Sequence, residues 1–232
     1  VMAGINWLSE ELPGMRRLFY FTSPSFALDN LRQKQIKVSD FTKCNDLFEL
    51  ASIDLSNKDV REEHRKWLDE VSKKAGLICL SEDWRSTLMW GYYTNNGGGM
   101  CIVLDVAKTE LCPVQYVSRR TEFSSRSSFP LPDNPVLRQF SSTKSNHWLH
   151  EREQRFFVDL EAKGTNLCQK DGRNFIKFGD KIKLAGIING PRPEVTGDDI
   201  LSASGEEVSF FQCRPAFRDF RMVMQQDQRL WN

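Results

Sequence analysis

A short run of acidic and basic residues in the second half of the chain has the residue types for charge-stabilising chemistry. Residues 150–155 read His-Glu-Arg-Glu-Gln-Arg. If a strand begins here, Glu151, Glu153 and Arg155 share one face, because side chains alternate along a strand. Two carboxylates on one face can stabilise a developing cation and orient a hydroxyl group. The alternative is an exposed charged strand edge, which discourages pairing between sheets.

An aromatic segment followed by three glycines is the second candidate. Residues 88–93 read Leu-Met-Trp-Gly-Tyr-Tyr, and glycines occupy positions 97–99. Trp90 and Tyr93 are three residues apart and can lie on one helix face, either in the core or as a platform for a flat ring. The glycine spacing matches neither a Walker nor a Rossmann fingerprint, so it predicts a helix stop rather than a phosphate site.

The cysteines and histidines indicate no metal site. The cysteines are at least eleven residues apart, which excludes a CxxC ligand pair: they occupy positions 44, 79, 101, 112, 168 and 213. His147 and His150 could lie on one helical face, but no third histidine or cysteine is near them in the sequence. We expect free thiols in a reducing cytosol.

The elements that must position these residues alternate between strands and helices. We predict a charged amphipathic helix over 58–74, buried strands over 77–81 and 100–105, and a helical segment over 136–150. Regular βαβ spacing is absent, so the predicted fold class is α+β, with a mixed or antiparallel sheet. Length predicts one domain, 1–232, and the Ser-, Pro- and Arg-rich stretch 121–135 predicts a mobile loop.

Composition excludes several classes of function. The net charge is +1, so no global basic field draws the protein to nucleic acid or membranes. The longest apolar runs have about five residues, whereas a membrane-spanning helix needs about 20. The first residues lack the charged and apolar regions of a signal peptide. The resulting expectation is a cytoplasmic protein with no membrane partner.

Three segments resemble, in this order, an uncharacterised bacterial and phage-associated family. They are CNDLFE (44–49), LICLSEDWRSTLMWGYYTNNGGGMCIVLD (77–105) and HWLHEREQRF (147–156). The family pattern has a tyrosine-rich first strand, an Asn-Asp-x-Phe-Glu turn, a Cys-x-Ser strand, a Leu-Met-Trp-x-x-Tyr helix and Trp-x-x-Glu-x-Glu-x-Arg. The resemblance covers roughly positions 18–190 and by itself implies no reaction.

The layout also resembles, more loosely, that of the ADP-ribosyltransferases, which use NAD as substrate. This resemblance implies an ADP-ribosyltransferase-like fold, in which a third strand is entered through Glu-x-Glu. When the roles of the family residues are transferred to the matching positions of this sequence, Glu153 would bind the nicotinamide-ribose hydroxyl and Glu151 would activate an acceptor. Ser81 takes the position at the end of the second strand.

The same resemblance implies the remaining NAD-binding residues. Tyr92 or Tyr93 would lie near the nicotinamide ring. Tyr20 occupies the first-strand position where the ADP-ribosyltransferases have His or Arg, so the chain departs from the family pattern there. Arg17 or Arg16 could take over the role of holding the adenylate-side ribose.

The predicted function is therefore an NAD-dependent ADP-ribosyltransferase, or an NAD glycohydrolase if water is the acceptor. The macromolecular acceptor would be a protein or a nucleic acid that docks at the 121–135 stretch. The protein itself would act as a bacterial toxin or a phage-defence effector. Two alternatives stay open. One is a non-catalytic binding or sensor module, and the other is a metal-dependent nuclease built on Asp105, Glu151 and Glu153.

Overall fold

The computed structural model describes residues 5–123, 129–130, 136–162, 166–205 and 208–231. Its strands are β1 (Met15–Thr22), β2 (Gln35–Val38), β3 (Ala75–Ser81), β4 (Met100–Ala107), β5 (Leu111–Pro113), β6 (Gln115–Val117), β7 (Thr143–Ser145), β8 (Glu153–Asp159), β9 (Leu167–Lys170), β10 (Arg173–Lys177), β11 (Ile182–Asn189), β12 (Phe210–Pro215) and β13 (Met222–Met224). Its α-helices are α1 (Pro24–Arg32), α2 (Lys58–Lys74), α3 (Thr87–Tyr93), α4 (Val136–Phe140) and α5 (Gly197–Ser204). Short 3-10 helices cover Ile5–Leu8, Phe41–Lys43, Lys108–Glu110, Asn146–Glu151 and Gln228–Leu230.

The fold is mixed α and β, and the predicted mixed sheet is confirmed. β1 pairs antiparallel with β4, and β4 with β11, whereas β11 and β12 run parallel. The finer expectation of an ADP-ribosyltransferase-like fold stays a prediction. The chain forms two compact units: unit 1 comprises 1–36, 80–110 and 176–232, and unit 2 comprises 37–79 and 111–175. The single-domain assignment also stays a prediction.

In unit 1 the strand order is β13-β12-β11-β4-β1. The sequence of β4, MCIVLDVA, is buried along almost its whole length because β1 and β11 flank it on both sides. This continuous apolar run is typical of a central strand. α3 packs one side of this core through Trp90, whose indole lies edge-on to Phe21 with ring centroids 5.2 Å apart.

The three-glycine run in unit 1 allows two backbone segments to approach closely. A Cβ atom on Gly99 would lie 2.2 Å from the carbonyl oxygen of Thr22, so no larger residue fits there without a shift. The amide of Gly99 donates to the carbonyl of Thr94, just after α3 ends. These contacts give the glycines a structural role at the exit of the helix.

In unit 2, β8 lies between β3 and β5 in the sheet, and β6 pairs parallel with β7. The helix α2 has the predicted bounds, with the Asn57 side chain accepting from the first amides. Its buried stripe includes Trp67 and Val71, which pack with Leu77 of β3 in one apolar cluster. The core of unit 2 thus supports β3, the neighbour of β8.

The predicted mobile loop falls partly outside the described residues, since 124–128 and 131–135 are not among them. Phe129, which is described, stacks on Trp67 with ring centroids 5.2 Å apart. The described helices include none that is both long and apolar enough to cross a membrane.

Candidate functional site

Glu151 and Glu153 enter the site from different elements. Glu151 ends the 3-10 helix Asn146–Glu151, and Glu153 is the first residue of β8. Arg152 between them has a left-handed backbone, with φ of 44°. The prediction that both glutamates lie on one strand face is wrong, because the strand begins two residues later. The structure nevertheless brings both carboxylates to a shared partner, Lys144.

Arg155 connects β8 to a segment more than a hundred residues away in the sequence. Its side chain is fully buried, and its Nε donates to Glu153 Oε1 at 2.9 Å. Its two terminal nitrogens donate to Glu49 Oε1 and Oε2 at 2.6 and 3.1 Å. Arg155 also donates to the backbone carbonyl of Ser141. Two segments that carry the family resemblance, 44–49 and 147–156, are therefore in direct contact.

Lys144, on β7, is the second cation. Its Nζ donates to Glu151 Oε2 at 2.5 Å and to Glu153 Oε2 at 3.2 Å. The same ammonium lies 4.7 Å from the ring centroid of Trp148, a distance at which cation and ring attract each other.

We call Glu49, Lys144, Glu151, Glu153 and Arg155 the charge network. All five residues are buried, and β8 is an interior strand. The alternative of an exposed charged edge is therefore wrong for this segment.

Electrostatics keep the two central groups ionised. Burial raises the pKa of Glu153, but the positive charges of Arg155 and Lys144 outweigh burial and hold this pKa at about 2. Burial lowers the pKa of Lys144, yet the charges of Glu153 and Glu151 hold it above the usual value. Glu153 and Lys144 are therefore both charged near neutral pH.

The neighbouring titratable groups are neutral. Tyr116 accepts from the backbone amide of Glu153 at 2.8 Å, and burial raises the pKa of its hydroxyl to about 12. Burial raises the pKa of Cys44 to about 12 and that of Cys79 well above its usual value. Neither thiol is therefore activated as a nucleophile, since the thiolate is the reactive form.

A groove of about 420 Å³ lies in unit 2, and Lys144 is one of its lining residues. We call it the unit-2 groove. Phe48 and Trp148 line it with aromatic rings, and Arg119 and Arg120 line it with exposed cations. The guanidinium of Arg120 lies 4.6 Å from the ring centroid of Phe48. The groove combines positive charge with ring faces, within the usual size range of small-molecule sites.

The other residues assigned to NAD binding belong to unit 1. Arg17 forms a two-point ion pair with Asp105, with N–O distances of 2.7 and 3.0 Å. Tyr20 is half-buried on β1, opposite Ile102 of β4. Ser81 ends β3, and its hydroxyl accepts from the Asp83 amide at 3.1 Å.

The two tyrosines of α3 differ in their surroundings. Tyr92 is 65% exposed, whereas Tyr93 packs against the unit 1 core. Trp90 is buried in that core and donates its indole N–H to the carbonyl of Trp84 at 2.7 Å. The core interpretation of Trp90 is therefore confirmed. Nothing in the structure tests the NAD-binding roles assigned to the tyrosines, which stay predictions.

Sequence reasoning missed Glu49 and Lys144 as members of the site. Glu49 ends the CNDLFE segment, so the resemblance gave a usable signal for it. Lys144 lies in a Ser- and Thr-rich stretch with no motif, and only the fold brings it to Glu151 and Glu153. In the described part of the chain, no group of three or more His, Cys, Asp or Glu residues could hold a metal ion.

Comparisons with known proteins do not assign the chain to a family. No protein-family model matches the chain, and no significant match was found among curated proteins or solved structures. The site must therefore be interpreted from its own geometry.

Proposed function

We propose that the unit-2 groove binds NAD and that the chain is an ADP-ribosyltransferase or NAD glycohydrolase. The observation that carries the proposal is the position of Lys144. Its ammonium is held by Glu151 and Glu153 and lies beside Trp148 in the lining of a groove. The two glutamates named by the resemblance thus hold a residue that lines the groove.

The cations of the groove suit a diphosphate. Lys144 is fixed by its two carboxylates, so it loses little side-chain freedom when an anion binds. Arg119 and Arg120 present guanidinium groups, which bind phosphate oxygens through paired hydrogen bonds. NAD carries a diphosphate between its two nucleosides, which matches this charge pattern.

The ring faces of the groove suit the bases of a dinucleotide. Trp148 is half-buried and Phe48 is largely exposed at the groove. Aromatic side chains bind flat heterocycles by stacking, which is worth roughly 1–3 kcal/mol per base in nucleic-acid complexes. Adenine and nicotinamide both offer such a face.

The charge network supplies electrostatic stabilisation for bond cleavage in this proposal. Breaking the nicotinamide–ribose bond creates an oxocarbenium-like cation. The network holds three carboxylates (Glu49, Glu151 and Glu153) against two cations (Lys144 and Arg155), which leaves one formal negative charge in excess. A fixed negative charge beside the groove stabilises a positive transition state.

Glu153 contributes to this chemistry by its charge and by positioning Lys144. Its oxygens accept from Arg155 and Lys144, an arrangement that differs from direct contact with a ribose hydroxyl. Glu151 holds the same ammonium of Lys144, and its role in activating the acceptor stays a prediction. The roles of Arg17, Tyr20, Ser81, Tyr92 and Tyr93 in NAD binding stay predictions, because this proposal concerns unit 2.

A second candidate function is a non-catalytic binding module for the same class of ligand. The observation in its favour is that Glu151 and Glu153 are both buried and both bound to Lys144. A carboxylate pair held in this way can stabilise a binding surface without taking part in a reaction.

Parallel assays separate these functions. NAD consumption is measured with and without magnesium, beside cleavage of nucleic acid, and ADP affinity is measured by calorimetry. We expect magnesium-independent NAD consumption, and about tenfold weaker ADP binding in Lys144→Met, the scale of one lost charge-assisted hydrogen bond. Lys66→Met, on the exposed side of α2 in unit 2, is the matched control.

The other outcomes favour an alternative function or contradict the proposal. ADP binding without NAD consumption favours the binding module. Magnesium-dependent cleavage of nucleic acid favours the nuclease. Equal ADP affinity in wild type, Lys144→Met and Lys66→Met would contradict the assignment of the groove.

A further inference from the structure

The turn between β12 and β13 in unit 1 carries two exposed phenylalanines. Phe217 is 89% exposed, and Phe220 is fully exposed, which makes it the most exposed large apolar side chain among the described residues. Single exposed apolar residues are common on protein surfaces. Two aromatic rings on one short turn, three residues apart in the sequence, instead form a surface that a flat apolar group can cover.

Three arginines accompany these rings in the sequence. Residues 214–221 read Arg-Pro-Ala-Phe-Arg-Asp-Phe-Arg, and we call them the aromatic–arginine tip. The tip has two formal positive charges in excess, whereas the whole chain carries +1. Asp219 forms an ion pair with Arg221 at 2.9 Å, and both side chains are more than half exposed. The tip therefore provides a local positive patch in a chain that has no global basic field.

The strands at the base of the tip hold its backbone in place. Pro215 lies opposite Met222 in the antiparallel pair of β12 and β13. The amide of Ala216 donates to the carbonyl of Arg221 at 2.9 Å, which closes the turn. Met222 is buried in the apolar core of unit 1. The tip is thus an anchored turn, although its rings are in water.

One ring of the tip already packs against a cation. The guanidinium of Arg214 lies over Phe217, 4.1 Å from the ring centroid, a distance at which cation and ring attract each other. Arg214 therefore covers one face of this ring, and the high exposure of Phe217 leaves the other face open. A flat group stacked on the open face would lie close to a positive charge.

Single-stranded nucleic acid has both groups that such a surface can bind. Its phosphates accept paired hydrogen bonds from guanidinium groups, and its unpaired bases stack on aromatic rings. We infer that the aromatic–arginine tip binds single-stranded nucleic acid, with Phe217 and Phe220 stacking on bases and the arginines binding phosphates. The bases of a duplex stack on one another, so they are not available to the rings. The inference concerns unit 1 and does not depend on the NAD site proposed in unit 2.

An anionic membrane surface fits the tip less well. Arg218 and Asp219 lie between the two phenylalanines in the sequence, and both are exposed. Insertion of both rings among lipid tails would take these two charges out of water, which is costly. Stacking on bases leaves both charges solvated. The charge pattern of the tip therefore favours nucleic acid over lipid.

Fluorescence anisotropy with the full chain tests the role of the rings. The probe is a labelled oligodeoxythymidylate of about 12 nucleotides, within the usual size range of single-strand sites, and a duplex of equal length is compared. The double variant Phe217→Leu/Phe220→Leu keeps apolar side chains but removes the ring faces. We expect its affinity for the single strand to fall at least about tenfold, the scale of one lost stack between base and ring. Phe26→Leu, at a partly exposed ring on α1 of unit 1, is the matched control and should bind like wild type.

The salt dependence of binding tests the arginines separately. For single strands, the slope of log K against log salt concentration has a magnitude of about 0.7 per phosphate contact. Arg218→Gln should therefore reduce this magnitude by about 0.7, the value for one lost contact. Arg32→Gln should leave the slope unchanged. Arg32 is the matched control, because it lies on α1 of unit 1 and its side chain is also exposed, at 54%.

Every outcome supports or overturns the inference. The substituted side chains are exposed, so we expect the variants to fold like wild type. Absence of oligonucleotide binding by wild type, or equal affinity in wild type and the double leucine variant, would overturn the inference. Tighter binding of the duplex than of the single strand would also overturn it. Cosedimentation with phosphatidylserine vesicles, without oligonucleotide binding, would assign the tip to a membrane instead. None of these results affects the NAD proposal, which is tested by NAD consumption.

Discussion

Two buried arginines, one in each unit, bind carboxylates in different ways. In unit 1, Arg17 pairs with Asp105 through two hydrogen bonds, and its remaining donors reach the backbone carbonyls of Trp7 and Glu10. One cation meets one carboxylate, so the pair is neutral. Such a pair ties the N-terminal segment of unit 1 to its central strand β4, which is a structural role.

In unit 2, Arg155 binds two carboxylates, and the second of these also binds Lys144. The network extends to the lining of a groove and carries an excess of one negative charge. The comparison teaches that burial of an ion pair does not by itself indicate function. The charge network differs from the Arg17–Asp105 pair in its formal charge and in having a member, Lys144, that lines a groove.

The largest expected effect concerns the stability of the two units. Arg155→Met leaves Glu49 and Glu153 buried without their main partner, and breaking a buried pair costs about 3–5 kcal/mol. Arg17→Met leaves only one carboxylate, that of Asp105, without its partner, so we expect a smaller loss in the free energy of unfolding. Urea denaturation of both variants measures the difference. Equal losses would contradict the distinction between a pair and a network.

A second effect is the dependence of stability on pH. Burial raises the pKa of Glu153, but Arg155 and Lys144 lower it further, from 4.5 to about 2. Its ion pairs therefore contribute stability that is full above about pH 4.5 and is lost as pH falls towards 2.

Glu153→Gln removes that titration, so its unfolding free energy should fall less than that of wild type over this pH range. Urea denaturation between pH 5 and 2.5 makes the comparison. Parallel curves for the two proteins would show that Glu153 is not held ionised by the network.

The smallest expected effect is in α3 of unit 1. Tyr92 is largely exposed, so Tyr92→Ala should change stability by less than about 0.5 kcal/mol. Trp90→Ala, by contrast, removes a buried core ring and should cost about 3–5 kcal/mol. Thermal melts of the two variants compare their losses of stability. A large loss of stability in Tyr92→Ala would show that the ring of Tyr92 is packed.

Local patterns predicted the helix and the central strands well. The charged amphipathic pattern over 58–74 predicted α2 with its observed bounds. The apolar runs of β3 and β4 could only be buried strands. In these segments the local sequence and the tertiary environment favour the same structure.

The region around the site was predicted less well. A helical segment was expected over 136–150, but α4 ends at Phe140 and β7 and a 3-10 helix follow. The stretch from Ser141 to Ser145 is rich in residues whose side chains compete for backbone hydrogen bonds. Its pairing with β6 then decides the structure. That pairing puts Lys144 at the site, which no local pattern could show.

Long-range contacts explain the rest of the site. Glu49 and Arg155 are 106 residues apart, so their pairing depends on the packing of unit 2. The Glu-x-Glu spacing identified Glu151 and Glu153 as candidates, but not their burial or their shared cation. Sequence reasoning could therefore name two of the carboxylates without describing the network that surrounds them.

The most direct test of the proposed function is the rate of NAD consumption by Glu153→Gln, normalised to folded protein. Glu70→Gln, at an exposed ion pair on α2, is the matched control. The charge network predicts that Glu153→Gln lowers turnover at least about 10²-fold, the scale of losing a positioned charged group, while Glu70→Gln matches wild type. An NAD-consuming wild type with equal turnover in Glu153→Gln would contradict the role of the network.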